Sequence, residues 1–189
     1  MIVSLQAWYE KGMTFEQYRA SMQVNGQEFT RVYDGLRFTE NDLESFKEVT
    51  ARNWRGIVLT ADWCGDAALC VPIIQKIAEV SNIELRFLIR DENLELMDQY
   101  LTNGTSRAIP RFIFFDKQGN ETAVWGPRSN EVEDMVKTLR TELPAAVSPK
   151  FHEKQQSMFL SFMQRITSDP SIWRTVVESV KEKLKTQES

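Results

Sequence analysis

Hydrophobic positions change their period along this chain, and the changes divide it into three zones. Up to about residue 50 the period is helical. Thr14 and Thr39 stand where N-caps belong, and Asp42 follows Thr39 at capping-box spacing. Leu43, Phe46 and Val49 then recur at helical intervals.

In the second zone strand and helix alternate. Ile57-Val58-Leu59 is apolar throughout, as in a central strand covered on both faces. Ala67, Cys70, Val71, Ile74, Ile77 and Ala78 make one face of a helix over about 65–80. Ile83, Leu85, Phe87 and Ile89 alternate with Glu84, Arg86 and Arg90, which predicts a strand wet on one face, with Leu88 out of pattern. A helix over about 92–101 comes next, turning Met97, Tyr100 and Leu101 inward. Phe112-Ile113-Phe114-Phe115 and Thr122-Ala123-Val124-Trp125, joined around Lys117-Gln118-Gly119-Asn120, read as an antiparallel hairpin. Val132, Met135, Val136, Leu139 and Leu143 supply the face of a closing helix. The zone therefore reads β-α-β-α-β-β-α. Its βαβ half must be parallel with a right-handed crossover.

The third zone opens with a small-residue linker from Pro144 to Pro149. One amphipathic helix carries Met158, Phe159, Phe162, Met163 and Ile166. Another starts at Asp169-Pro170, an N-cap followed by proline at the first helical position, and carries Trp173, Val176, Val177, Val180 and Leu184. Both stripes are expected to pack on the middle zone rather than on a second subunit. The predicted organisation is a helical extension over 1–48, an α/β domain over 49–143 and a second helical extension over 144–189.

Composition narrows the partners. The 189 residues carry a formal net charge of -4, which argues against nucleic acid and acidic membranes, since both need basic patches. No apolar run reaches the roughly 18 residues of a membrane span. The start, Met1-Ile2-Val3-Ser4-Leu5-Gln6-Ala7-Trp8-Tyr9-Glu10, lacks a basic n-region and a long apolar run, so it is not read as a signal peptide. With two cysteines and no export signal, a reducing cytoplasm is the expected compartment. The single histidine, His152, lies far along the tail, so neither a metal cluster nor a Cys–His nucleophile pair is expected. There is no glycine-rich phosphate loop. No cofactor is expected. Length and patterning leave monomer and homodimer both open.

The densest chemical signal is Trp63-Cys64-Gly65-Asp66-Ala67, directly after the apolar strand. Pro72 lies eight residues beyond Cys64, Ile109-Pro110 immediately precedes the hairpin, the hairpin turn carries Asp116-Lys117 and Gly119, and Gly126 closes its second strand. In this order and spacing the middle zone, over about 90 residues, resembles thioredoxin. More narrowly it is similar to a bacterial thioredoxin-like branch carrying Trp-Cys-Gly-Asp-Ala, in which Leu88-Ile89-Arg90-Asp91-Glu92-Asn93 and Trp125-Gly126-Pro127-Arg128 recur. The resemblance implies a thioredoxin-like fold: three layers, with a mixed sheet of βαβ and ββα halves. The terminal helices would be additions to it. It also implies that Cys64 is the nucleophile, that Pro110 is a cis-proline, and that Trp63, Gly65, Ile109, Pro110 and Gly126 line a groove holding an extended substrate against the backbone of Ile109.

Departures from that family qualify the chemistry. A sulfur at a helix N-terminus is favoured as thiolate by free N–H groups and the helix dipole, so Cys64 is expected to have a lowered pKa. Asp66 should repel that charge and offset part of the fall. The position of the usual second cysteine holds Ala67. Cys70 is six residues from Cys64, and helix geometry puts their Cα atoms about 10 Å apart, beyond the roughly 7 Å reach of a disulfide. Cys70 also lies on the apolar stripe, where a buried cysteine acts as a small hydrophobe. The buried acid that thioredoxins keep is here Val58. A peroxiredoxin would need threonine where Ala61 stands, and a glutathione transferase a larger all-helical half. Arg111 could turn toward the Cys64 loop and meet Asp66 or a substrate carboxylate, and Arg128 could share that rim. Two functions stay open. One is monothiol thiol–disulfide exchange on protein or small-thiol disulfides, a low-molecular-weight thiol serving as co-substrate. The other is a non-catalytic thioredoxin-like module binding a protein or peptide.

Overall fold

The structure is a computed structural model, and it describes residues 3–185. The outer ends of both extensions, 1–2 and 186–189, lie outside the described residues, as does the start of the segment read above for a signal peptide.

Four short helices precede the sheet: α1 (Leu5–Lys11), α2 (Phe15–Ser21), α3 (Gly26–Gly35) and α4 (Glu40–Thr50). Thr14 and Thr39 each close a capping box, with Gln17 and Asp42 respectively. The sheet has strands β1 (Arg55–Thr60), β2 (Glu84–Ile89), β3 (Arg111–Phe115) and β4 (Glu121–Trp125), in the order β2-β1-β3-β4. β1 pairs parallel with β2 and antiparallel with β3, and β3 pairs antiparallel with β4. Helix α5 (Gly65–Val80) makes the crossover from β1 to β2, and α7 (Asn130–Thr141) follows the hairpin. The chain then closes with α8 (Phe151–Ile166) and α9 (Pro170–Lys185). This is the thioredoxin-like α/β architecture with helical extensions at both ends.

Helices cover both faces of the sheet. Tyr9 of α1 meets Phe115 edge-on, whereas Tyr18 of α2 stacks on Phe87 with ring centroids 5.1 Å apart. Phe115 pairs with Arg55 and Phe87 with Val58, three positions along β1, so the two contacts lie on opposite faces. Ile57, Val58 and Leu59 are fully buried between these layers.

Three expectations need correction. β2 is not wet along one face, because Leu88 is buried. The N-terminal extension covers this strand: Met13 exchanges two 2.9 Å backbone hydrogen bonds with Phe87, and the Arg86 guanidinium lies over Tyr9. The helix expected over 92–101 is only a 3-10 turn at Arg90–Glu92 and a single turn, α6 (Leu94–Met97). Asn93 breaks it: its backbone leaves the helical region at φ -134°, ψ 44°, and its side chain donates to the Ile89 carbonyl. Leu96 and Met97 are buried there, and Tyr100 packs half-buried against the core while its hydroxyl donates to Glu121.

The third correction concerns the tail, whose two helices differ. α9 packs as expected, with Trp173, Val176, Val177, Val180 and Leu184 all buried. Buried charge joins it to α4. Asp42, 0% exposed, accepts from Arg174 at 2.6 and 2.8 Å and from Lys181 at 3.0 Å. Burial pushes the Asp42 carboxyl up, but hydrogen bonds from Arg174, Thr39 and Lys181 outweigh it and hold the group well below the usual carboxylate range. α8 is a looser element. Of its five-residue stripe only Phe162 and Ile166 are buried, and Phe159 is 46% exposed. The reason is position: α8 joins the core only through Phe162 and Ile166 and lies over the turn that begins α5 through Met163.

Candidate functional site

The end of β1 delivers Asp62, Trp63 and Cys64 to the start of α5. The N-terminal extension braces this turn from one side. The Asp62 carboxylate accepts the backbone N–H groups of Gln23 (2.7 Å) and Val24 (3.2 Å), and the Asn25 side chain donates to the Asp62 carbonyl at 2.8 Å. Tyr18 shares a 3.0 Å hydrogen bond with Thr60, the last residue of β1.

Cys64 is the N-cap residue of α5, with extended backbone and no side-chain cap. Its thiol donates to the Ile109 carbonyl at 3.4 Å. The Ile109–Pro110 peptide is cis, as is Gly126–Pro127. Cys64 is therefore beside Pro110, and both cysteines are free thiols. Cys70 is 0% exposed, and its thiol is turned away to the Pro127 carbonyl, 3.7 Å distant.

The electrostatics run opposite to the sequence expectation. The Cys64 thiol is pushed up to about 11, chiefly by burial and next by the Asp66 charge. The backbone N–H groups of Ala67 and Asp66 favour the thiolate but do not reverse this. The sequence argument counted the helix N-terminus and missed the cover over it. Cys64 is only 9% exposed. Over the same turn, a Cβ added at Gly65 would fall 2.3 Å from the Met163 sulfur, so α8 rests directly on the first residue of α5.

Asp66 pairs with Arg128 at 2.8 Å, not with Arg111. Burial pushes the Asp66 carboxyl up, and Arg128 opposes that. Arg128 also donates to Glu133 at 2.6 Å, so its charge is divided between two carboxylates. Within this trio, of which only Asp66 is buried, Oδ1 of Asp66 and Nε of Arg128 have no hydrogen-bond partner. Arg111 instead donates to the Gly126 carbonyl and is part of the scaffold. Gly126 has φ +119°, and a Cβ there would lie 2.2 Å from the Pro110 carbonyl oxygen, so only glycine lets the strands close at this point.

The predicted groove is thus partly closed. Ile109 and Pro110 are buried, and the Ile109 carbonyl expected to hold substrate is engaged by Cys64 itself. Trp63 remains open at 51% exposure, with the Arg90 guanidinium over its ring. What opens instead is a cavity of about 370 Å³ between the Cys64 turn and α8. Cys64, Trp63, Phe159, Phe162 and Met163 line it, and Asp66 and Arg128 lie in its wall. The α8 contribution was not foreseen: its apolar stripe carries no signal of which surface it covers. No cluster of His, Cys, Asp and Glu suited to a metal occurs among the described residues, and no described helix is long and apolar enough to cross a membrane.

Comparison with known proteins agrees with this geometry. No curated protein matches the sequence. Among solved structures, an HIV epitope-scaffold aligns over 97% of this chain and 99% of its own, at TM-score 0.70 and 14% identity. A Pseudomonas aeruginosa protein of unknown function aligns over 95% and 98%, at TM-score 0.65 and 15% identity. These likenesses are of fold, and they take in both helical extensions, so the helices flanking the site are part of a shared architecture. A sequence-family model described as thioredoxin matches residues 12–141, well over half the chain. The protein, with its cysteine turn, Pro110 and mixed four-stranded sheet, belongs to the thioredoxin family.

Proposed function

We propose that the protein carries out monothiol thiol–disulfide exchange with Cys64 as nucleophile. The observation that carries this reading is one sulfur at the N-terminus of α5, beside Pro110, with no second sulfur turned toward it. The Cys64 thiol loses its proton, and the thiolate attacks one sulfur of a substrate disulfide. A Cys64–substrate S–S bond forms, the original S–S bond breaks, and the departing sulfur leaves as a thiolate that takes up a proton. A second small thiol then attacks the mixed disulfide and frees Cys64. Cys70, buried and turned to Pro127, takes no part. Val58 is buried against Phe87 and Phe112 in the sheet, consistent with the loss of the proton relay that a dithiol mechanism uses. A thiol pushed up to about 11 makes the reaction slow at neutral pH.

One observation favours a second reading, a non-catalytic binding module: the protonated, 9% exposed thiol is a poor nucleophile as it stands. Incubation with oxidised low-molecular-weight thiols followed by intact mass measurement separates the two. Exchange predicts one adduct on Cys64, absent in Cys64→Ser and removed by the reduced thiol. If no adduct forms even at pH 10, the binding-module reading takes its place.

A further inference from the structure

We propose that the cavity beneath α8 is a binding site for a small, apolar, uncharged thiol or disulfide, and that it discriminates against anionic ones. The proposal rests on the reading of Cys64 as an exchange nucleophile and names the substrate class of that site.

The walls carry the argument. The roof is α8, through Phe159, Phe162 and Met163, and the floor is the Cys64 turn with Val136 beside it. Trp63 and Phe159, at 51% and 46% exposure, are large apolar side chains left open beside the cavity rather than buried in the core. Exposed apolar surface of this kind around a concave site marks a ligand surface. The volume, about 370 Å³, fits a small molecule and not a folded partner.

Charge sets the second half. Arg128, the cation in the wall, is shared by Asp66 and Glu133. An anionic ligand entering here would lose its hydration and find the one guanidinium in the lining already paired with Asp66 and Glu133, a costly transfer. Oδ1 of Asp66 and Nε of Arg128 are themselves closed off from solvent, so the wall presents a sealed ion pair and no free cation to an anionic head.

Exchange there balances as before: Cys64 thiol plus a neutral disulfide gives the Cys64 mixed disulfide and one neutral thiol, with no outside oxidant or reductant.

The test uses the full chain and two paired probes. Rates of Cys64 modification by benzyl methanethiosulfonate and by sulfonatoethyl methanethiosulfonate are each divided by the rate with free cysteine in the same buffer. The benzyl reagent should exceed the sulfonate by about tenfold or more. Equal normalised rates would overturn the proposal. In parallel, Cys64→Ser is titrated with benzamide and with benzoate at millimolar concentrations, following Trp63 and α8 resonances by NMR. Benzamide should bind and benzoate should not. Binding of both, or of neither, would also overturn it. The two arms separate the site from the chemistry. If benzamide binds Cys64→Ser but no disulfide forms on Cys64, the site stands and exchange fails. If Cys64 forms adducts without regard to charge, exchange stands and the site fails.

Discussion

Replacing Met163 by alanine should make Cys64 more reactive, although the two residues lie in different helices nearly a hundred positions apart. Met163 rests on Gly65, and Cys64 beside it is 9% exposed with its thiol pushed up to about 11. At pH 7 such a thiol is ionised in about one molecule in ten thousand, against about one in thirty for an ordinary thiol of pKa near 8.5. Ionisation alone therefore slows alkylation by a few hundredfold. Burial is the leading cause of the shift, with Asp66 second. Shortening Met163 admits water to the sulfur and acts on the leading cause. A fall of about one unit speeds the reaction about tenfold at pH 7. Met163 is half-buried, so its truncation should cost less than the roughly 2–5 kcal/mol of a fully buried methionine. The assay is iodoacetamide consumption from pH 6 to pH 11, read by intact mass, with Cys64→Ser giving the background from Cys70. Thermal melts check that the variant is folded. A wild-type inflection at or below 8.5 would refute the reasoning. So would a folded Met163→Ala protein whose profile does not move.

Other consequences are more local. Asp42→Asn should destabilise the protein by about 1–3 kcal/mol, because it weakens charge-assisted hydrogen bonds at a fully buried position while Arg174 and Lys181 keep Glu178 as a partner, and urea denaturation measures this. The Asp42 carboxyl titrates below its unfolded value of about 3.9, so its stabilisation is present above that pH and is lost as pH falls toward the native value; the gap between wild type and Asp42→Asn should narrow in acid. Gly126→Ala should cost at least about 2 kcal/mol, since it combines φ +119° with a Cβ 2.2 Å from the Pro110 oxygen; an unchanged denaturation midpoint would contradict the packing described. Cys70→Ala should lose only about 1 kcal/mol and leave adduct formation on Cys64 intact, and non-reducing peptide mapping of wild type should find no Cys64–Cys70 bond.

Local patterns in the chain were legible because local forces write them. The apolar stripe from Ala67 to Ala78 put α5 at its observed bounds, and Thr14 and Thr39 announced α2 and α4 through side chains that bond within one turn. The α9 stripe was equally readable, because every position in it is buried. Long-range pairings left no such trace. Asp42 and Arg174 are 132 positions apart, and nothing near either announces the other. The sequence offers Asp66 two arginines, Arg111 and Arg128, without ranking them as its partner, and it is Arg128, beyond Pro127, that holds it. The α8 stripe resembled that of α9 on paper, yet Phe159 is open, because periodicity reports that a face is apolar and not how much of it finds a neighbour. The pKa of Cys64 was misjudged for the same reason: the helix terminus is local and was visible, whereas the cover is tertiary.

The two extensions act on opposite sides of one turn, and this ties two properties of Cys64 that an open thioredoxin edge can set separately. The α2–α3 loop holds the turn through Asp62, while α8 rests on Gly65 through Met163. Access and ionisation then change together, since the cavity that admits a substrate is bounded by the same turn and helix that bury the sulfur. A ligand filling the cavity with apolar groups keeps the sulfur dry and the thiolate costly. Ionisation must therefore come before the cavity is filled, or the proton must leave as the S–S bond forms. Either way the rate should rise in step with one proton lost, toward the value near 11 at which the thiol titrates. A rate that is flat from pH 6 to pH 9 would mean that the reacting sulfur is not the covered one.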